Sequence, residues 1–153
     1  MALYLVQHGR NLSASEDPQK GLSPQGIEET ERIAGVAAGY HVVVSRILHS
    51  GKKRARQTAE ILAAHLLPGR QAKAHEGMAP LDDVRTFAGT LDTAENVMLV
   101  GHLPFMERLI GLLVCENPER TVFKMQNSGI VCIDQVAGTD HPVIRWALMP
   151  AIG

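Results

Sequence analysis

Cysteine is scarce in this chain: two thiols, Cys115 and Cys132, in 153 residues. Both sit in apolar runs, Leu112-Leu113-Val114-Cys115 and Ile130-Val131-Cys132-Ile133. They read as small buried hydrophobes rather than a disulfide framework or a metal pair. A reduced, cytoplasmic setting is the expectation. Charge of one sign is also missing, because fifteen Lys and Arg against sixteen Asp and Glu leave a formal charge of −1. Binding of nucleic acid through bulk charge is therefore not expected, and any anion site has to be local. No apolar run approaches the ~20 residues a membrane span needs. The opening Met1-Ala2-Leu3-Tyr4-Leu5-Val6 lacks a basic leader region and ends at polar Gln7-His8, so the chain is expected to be soluble, unprocessed and away from membranes. The seven histidines show no His-x-His or His-Glu-x-x-His spacing, so a metal site is not expected. There is no repeat, linker or low-complexity segment, and the length suits one domain over residues 1–153 that buries roughly two thirds of its unfolded surface.

What is present alternates between strand and helix. Leu3 to Val6 reads as a strand feeding an exposed, mobile loop of Asn, Ser, Asp and Pro from Asn11 to Lys20. Ser23-Pro24 is a helix start, with Ser as N-cap and Pro at the first helical position. Ile27, Thr30, Ala34 and Ala37 then give an inward face that ends near Gly39. Arg46 to His49 reads as a strand, followed by a helix that Pro68-Gly69 stops. A weak strand lies around Gln71 to His75. A short helix follows from Asp82, as N-cap, to Leu91, then a strand from Asn96 to Val100 and a helix from Pro104 to Cys115. Two late strands, Ser128 to Gln135 and Pro142 to Leu148, are separated by Ala137-Gly138-Thr139-Asp140. This order implies an α/β layered fold with a largely parallel sheet.

Two histidines stand just beyond apolar runs, His8 after Leu3-Tyr4-Leu5-Val6-Gln7 and His102 after Val97-Met98-Leu99-Val100-Gly101. Taken singly, each suits a hydrogen-bonded structural role. Open α/β sheets, however, bind ligands beyond the carboxyl ends of their strands, where both would sit. Gly9 and Gly101 flank them and leave room for a ligand to approach the backbone. Between them Lys52, Lys53, Arg54 and Arg56 crowd the start of a helix. The positive end of the macrodipole disfavours cations there, so this is either a solvated basic turn or an anion site. The remaining histidines, His41, His49, His65, His75 and His141, read as structural or surface residues.

Leu5-Val6-Gln7-His8-Gly9, Arg54-Ala55-x-Gln57-Thr58-Ala59-Glu60-Ile61-Leu62 and Leu99-Val100-Gly101-His102-x-Pro104 occur in that order. They resemble the signature segments of the histidine phosphatase superfamily, the phosphoglycerate-mutase-like proteins. The short length, Leu22-Ser23-Pro24-Gln25-Gly26 and Trp146-Ala147-Leu148-Met149-Pro150 are similar to the SixA-type phosphohistidine phosphatases within it. The resemblance implies a three-layer αβα fold with a largely parallel central sheet. It also implies a cofactor-independent hydrolase acting on a phosphohistidine-bearing protein, such as a phosphotransfer domain or phosphocarrier, in signal transduction. His8 would attack phosphorus, Arg54 and His102 would hold the phosphoryl oxygens, and Gln7 and Gly9 would line the phosphate site. These roles make chemical sense, since a neutral imidazole is a competent nucleophile and phosphoryl transfer spreads charge over oxygens that such donors stabilise.

One departure stands out, because the family has Arg where this chain has Gln7. Glutamine brings neither positive charge nor a guanidinium fork, and losing one such donor costs roughly 2–4 kcal/mol of transition-state stabilisation. Arg10, Lys52 and Lys53 are the nearby cations able to compensate. Glu76, Asp82 and Asp83 occupy the region of the family's general acid without a convincing match. The alternatives are a small-molecule phosphomonoesterase of the same superfamily and a weakly active phosphoprotein-binding module.

Overall fold

The computed structural model describes residues 1–92 and 94–152. Its elements are β1 (Leu3–Gln7), α1 (Pro24–Gly39), β2 (Arg46–His49), α2 (Lys53–Leu66), β3 (Lys73–Ala74), α3 (Val84–Ala88), β4 (Val97–Gly101), α4 (Phe105–Cys115), β5 (Ile130–Asp134) and β6 (Val143–Leu148). One sheet runs in the order β3-β2-β4-β1-β5-β6. The first four are mutually parallel, β5 runs against β1, and β6 pairs antiparallel with β5. The parallel portion is thus joined by a late antiparallel hairpin, whose short loop cannot make a parallel crossover.

Alternation along the strands divides the core into two layers. Tyr4, Val6, Ile47, Met98 and Val100 face α1 and α2 on one side. Leu5, Leu48, Leu99, Val131 and Ile133 face α3 and α4 on the other. Strands covered on both faces must be apolar throughout, which is why β4 is buried from end to end. The result is the three-layer αβα arrangement.

Helix α1 starts as its residues dictate: Ser23 accepts from Gly26 N–H and Pro24 opens the first turn. Its inward stripe differs from the expected one. Ile27 is 44% exposed, whereas Gly26, Thr30, Ile33, Ala34 and Ala37 are buried. Residue 27 lies about 100° from residue 26 around the helix, and the contact with the preceding loop selects the stripe through Gly26. There the Arg10 carbonyl, which accepts from Ser23 N–H and Oγ, occupies the space a Cβ on Gly26 would take. Helix α3 is shorter than expected and its cap shifts by one residue. Asp83 accepts from Arg85 and Thr86 N–H, while Asp82 turns back to accept from Ala79 N–H at 2.8 Å. The loop from Asn11 to Lys20 is largely exposed, but Asp17 ties it to Lys53 at 2.8 Å.

Gly26→Ala is expected to destabilise the fold by about 1–3 kcal/mol, since the new methyl meets backbone that cannot rotate away. Gly35→Ala, on the same helix with open space at its Cβ position, is expected to be neutral or stabilising by up to about 1 kcal/mol. Denaturant unfolding of both variants checks this contrast, and equal midpoints would remove the packing argument.

Candidate active site

The three parallel strands β1, β4 and β2 end on one edge of the sheet, and the residue following each faces a common site. In the β1–β4 register Gln7 lies opposite Gly101, so His8 and His102 leave the sheet side by side. The His8 N–H extends the ladder to the Gly101 carbonyl at 2.9 Å. The imidazole centroids are 5.0 Å apart. Ser50, just past β2, brings its Oγ within 2.6 Å of His102 Nε2. Arg54, in the first turn of α2, directs Nε to His8 Nε2 at 3.4 Å.

The tautomer of His8 follows from one neighbour. Its Nδ1 lies 2.7 Å from the Gly9 carbonyl, which can only accept, so Nδ1 carries the proton and Nε2 is the unprotonated nitrogen that accepts from Arg54 Nε–H. Burial, opposed by that Gly9 bond and assisted by the Arg54 charge, lowers its pKa to about 4. His102 is 1% exposed. Burial, followed by the positive charges of His8, Arg54 and Lys52, lowers its pKa to about 3. Both rings are neutral at physiological pH. An arriving phosphoryl dianion would add the opposite charge and favour protonation of His102, while His8 has to keep Nε2 unprotonated to act on phosphorus.

Several positioning contacts were not anticipated from sequence. Thr58, one helical turn after Arg54, donates to the Arg54 carbonyl at 2.8 Å and accepts from Gly9 N–H at 2.9 Å. It locks the start of α2 against the His8 loop. Asn127 Nδ2 donates to the His8 carbonyl at 2.8 Å, and Ser128 N–H donates to the Gln7 carbonyl at 2.9 Å. Thr58 stood inside a recognisable segment, whereas Asn127 and Ser128 lie far along the chain with no local signal beyond a turn-forming pair.

Both glycines sit close against neighbouring side chains, Gly9 the more tightly, since Met106 can swing its terminal methyl away from Gly101. A Cβ on Gly9 would come within 2.8 Å of Thr30 Oγ1 and 3.1 Å of Ser128 Oγ, and one on Gly101 would strike Met106 Cε. With its N–H on Thr58 and its carbonyl on His8, Gly9 has both backbone groups engaged by protein. Gln7 is half-buried. Its Oε1 is buried without a partner among the described residues. Of the nearby cations, Arg10 pairs with Glu29 and Lys53 with Asp17, while Lys52 forms no ion pair among the described residues. Asp82 and Asp83 are occupied by backbone N–H groups, and Glu76 is exposed. Pro104 is the N-cap of α4 rather than its first residue. Among the described residues no group of three or more His, Cys, Asp or Glu side chains is disposed to hold a metal ion.

Ring-resonance titration of the ligand-free protein is expected to give a His8 midpoint near 4 and a His102 midpoint near 3. Unfolded imidazoles protonate near 6.5, so unfolding takes up protons in the interval below that value. Stability is expected to decline as pH falls from about 6.5 toward about 4. A midpoint near 6.5 for either ring would show it to be hydrated and remove the burial argument.

Comparison with known proteins identifies the family and the fold. The phosphohistidine phosphatase SixA of Escherichia coli strain K12 is 25% identical over 156 residues, covering 98% of this chain and 94% of that protein. The solved structure of the protein histidine phosphatase SixA complexed with tungstate superposes with a TM-score of 0.83 at 24% identity, covering 98% of this chain and 97% of the other. A putative α-ribazole-5'-P phosphatase from Escherichia coli K-12 shares the fold with a TM-score of 0.77 at 18% identity, covering 100% and 99%. Residues 3–82 match the model of the histidine phosphatase superfamily (branch 1), and the chain belongs to that family.

Proposed function

We propose that this protein removes phosphate from a phosphorylated histidine of a partner protein through a covalent intermediate on His8. The observation that carries the reading is the His8 ring itself, protonated at Nδ1 by its bond to Gly9, with Nε2 unprotonated between Arg54 and His102. The similarity to a phosphohistidine phosphatase over nearly the whole chain supports the choice of substrate.

In the first step the Nε2 lone pair bonds to phosphorus as the substrate P–N bond breaks, and the electron pair of that bond leaves with the substrate imidazole. Arg54 donates to the equatorial oxygens, and His102 stabilises the charge that develops on them. Protonated by solvent, the leaving imidazole departs neutral, so no enzymic acid is required. This suits a site where Asp82 and Asp83 serve the backbone. In the second step water attacks phosphorus, the bond to Nε2 breaks, and its electrons return to His8 as orthophosphate leaves. The cation that Gln7 does not supply comes from Lys52, the N-cap of α2, whose charge bears on His102.

His8→Ala is expected to abolish phosphate release and to eliminate an acid-labile, base-stable phosphoenzyme. The wild-type protein is expected to act on a phosphohistidine-bearing protein in preference to an alkyl phosphate ester. Full turnover in the His8 variant would exclude covalent catalysis, and equal or better use of the ester would favour the small-molecule phosphomonoesterase reading.

Lys52→Ala is expected to slow single-turnover phosphoenzyme formation by ~10-fold, corresponding to about 1.4 kcal/mol. Gln7→Arg is expected to accelerate it by a similar factor and to restore the rate in the Lys52→Ala background. A folded double variant no faster than Lys52→Ala would show that position 7 does not reach the phosphoryl group.

A further inference from the structure

Beside the phosphate site runs a surface groove of about 490 Å³ whose lining includes Lys20, Lys52, Lys53, Arg54 and Arg56. Arg54 belongs to both the groove and the candidate active site, since its Nε reaches His8. Anything lying in the groove is therefore next to the group being dephosphorylated.

The charge of this groove is largely unrelieved by the fold. Lys53 is neutralised by Asp17 at 2.8 Å. Arg56 meets Glu60 at 3.7 Å, but both side chains are at least half exposed, and such an i,i+4 pair is worth only a few tenths of a kcal/mol. Lys20 and Lys52 form no ion pair among the described residues. Helix α2 adds to the positive potential: its first turn has no acidic residue, and Lys52 provides no side-chain cap. The whole chain carries a formal charge of only −1, so the concentration of cations is local.

Lys20 reaches the groove from a built turn. Asp17 accepts from Gln19 N–H at 3.0 Å and Gly21 N–H at 2.9 Å while holding Lys53, and Lys20 between them adopts a left-handed φ of 51°. One carboxylate thus positions a lysine from the β1–α1 loop against the cationic start of α2.

We propose that this groove docks the acidic surface of the phosphohistidine-bearing partner, with carboxylates flanking the phosphorylated histidine engaging Lys20 and Arg56. The inference rests on the phosphohistidine reading above and adds the character of the substrate's surroundings. Long, exposed ammonium and guanidinium groups spread along an open groove suit several carboxylates on a protein surface. A single small anion is better held by converging, buried donors. Complementary charge of this kind acts mainly on encounter and specificity and weakens with salt.

The test uses two phosphohistidine peptides of equal length, one with Glu and Asp around the phosphorylated histidine and one with Gln and Asn. The acidic peptide is expected to show kcat/KM ~10-fold higher at low salt. That preference should vanish at high salt and in the Lys20→Glu, Arg56→Glu double variant, with turnover of the neutral peptide unchanged. Equal use of both peptides by the wild type, or a preference that survives the double substitution, would overturn the inference. So would competition by pyrophosphate as effective as that by the unphosphorylated acidic peptide, which would make the groove a small-anion subsite. Failure of the phosphatase reading has its own signature, no phosphate release from either peptide. Docking is then read from direct binding of the unphosphorylated acidic and neutral peptides to wild type and double variant, where equal affinities overturn it.

Discussion

The parallel pairing of β1 with β4 is the constraint on which the rest of the site depends. Because Gln7 lies opposite Gly101 in that register, the next residue on one strand and the next on the other are histidines at the same height. A slip of one residue would send the side chains of one strand to the opposite face of the sheet. The register is held by burial on both faces, with Leu5, Val6, Leu99 and Val100 all fully enclosed. The hydrophobic core therefore sets the separation of two polar side chains that contribute nothing to it.

Around that pair the polar contacts form a short chain with a direction. Thr58 links the Arg54 carbonyl to the Gly9 N–H, the Gly9 carbonyl accepts from His8 Nδ1–H, and His8 Nε2 accepts from Arg54. Each link leaves a defined proton position on the next, so the unprotonated nitrogen of His8 is a consequence of backbone placement. Burial keeps both imidazoles neutral, and the same burial strengthens any charge-assisted contact to an entering anion. Glycine at positions 9 and 101 permits this density. The first packs against Thr30 and Ser128, the second against Met106.

Gln7 keeps its place in the framework of the site. Its backbone still pairs within the sheet and receives Ser128. The cations nearest to it in sequence divide by their partners: Arg10 and Lys53 are spent on carboxylates, and Lys52 remains at the head of α2.

Much of this was legible in the residues. Apolar runs covered on both sides marked the parallel strands, Ser23-Pro24 marked the start of α1, and the paired strand-end histidines with Arg54 marked the site, because these signals are local and periodic. The inward stripe of α1, the cap of α3 and the antiparallel direction of β5 were not legible. They depend on which backbone packs against Gly26, which of two adjacent aspartates reaches a free N–H, and which sheet edge the last hairpin joins. Asn127 and Ser128 are the sharpest case, since they brace His8 and Gln7 from nearly 120 residues away. By itself the sequence singled out His8, Arg54 and His102 as candidates and put both histidines at strand ends and Arg54 at a helix start, since those properties belong to residue type and short-range pattern. Only the tertiary structure decided the tautomer of His8, the engagement of Gly9 with protein and the freedom of Lys52, because each depends on partners that folding brings together from distant segments.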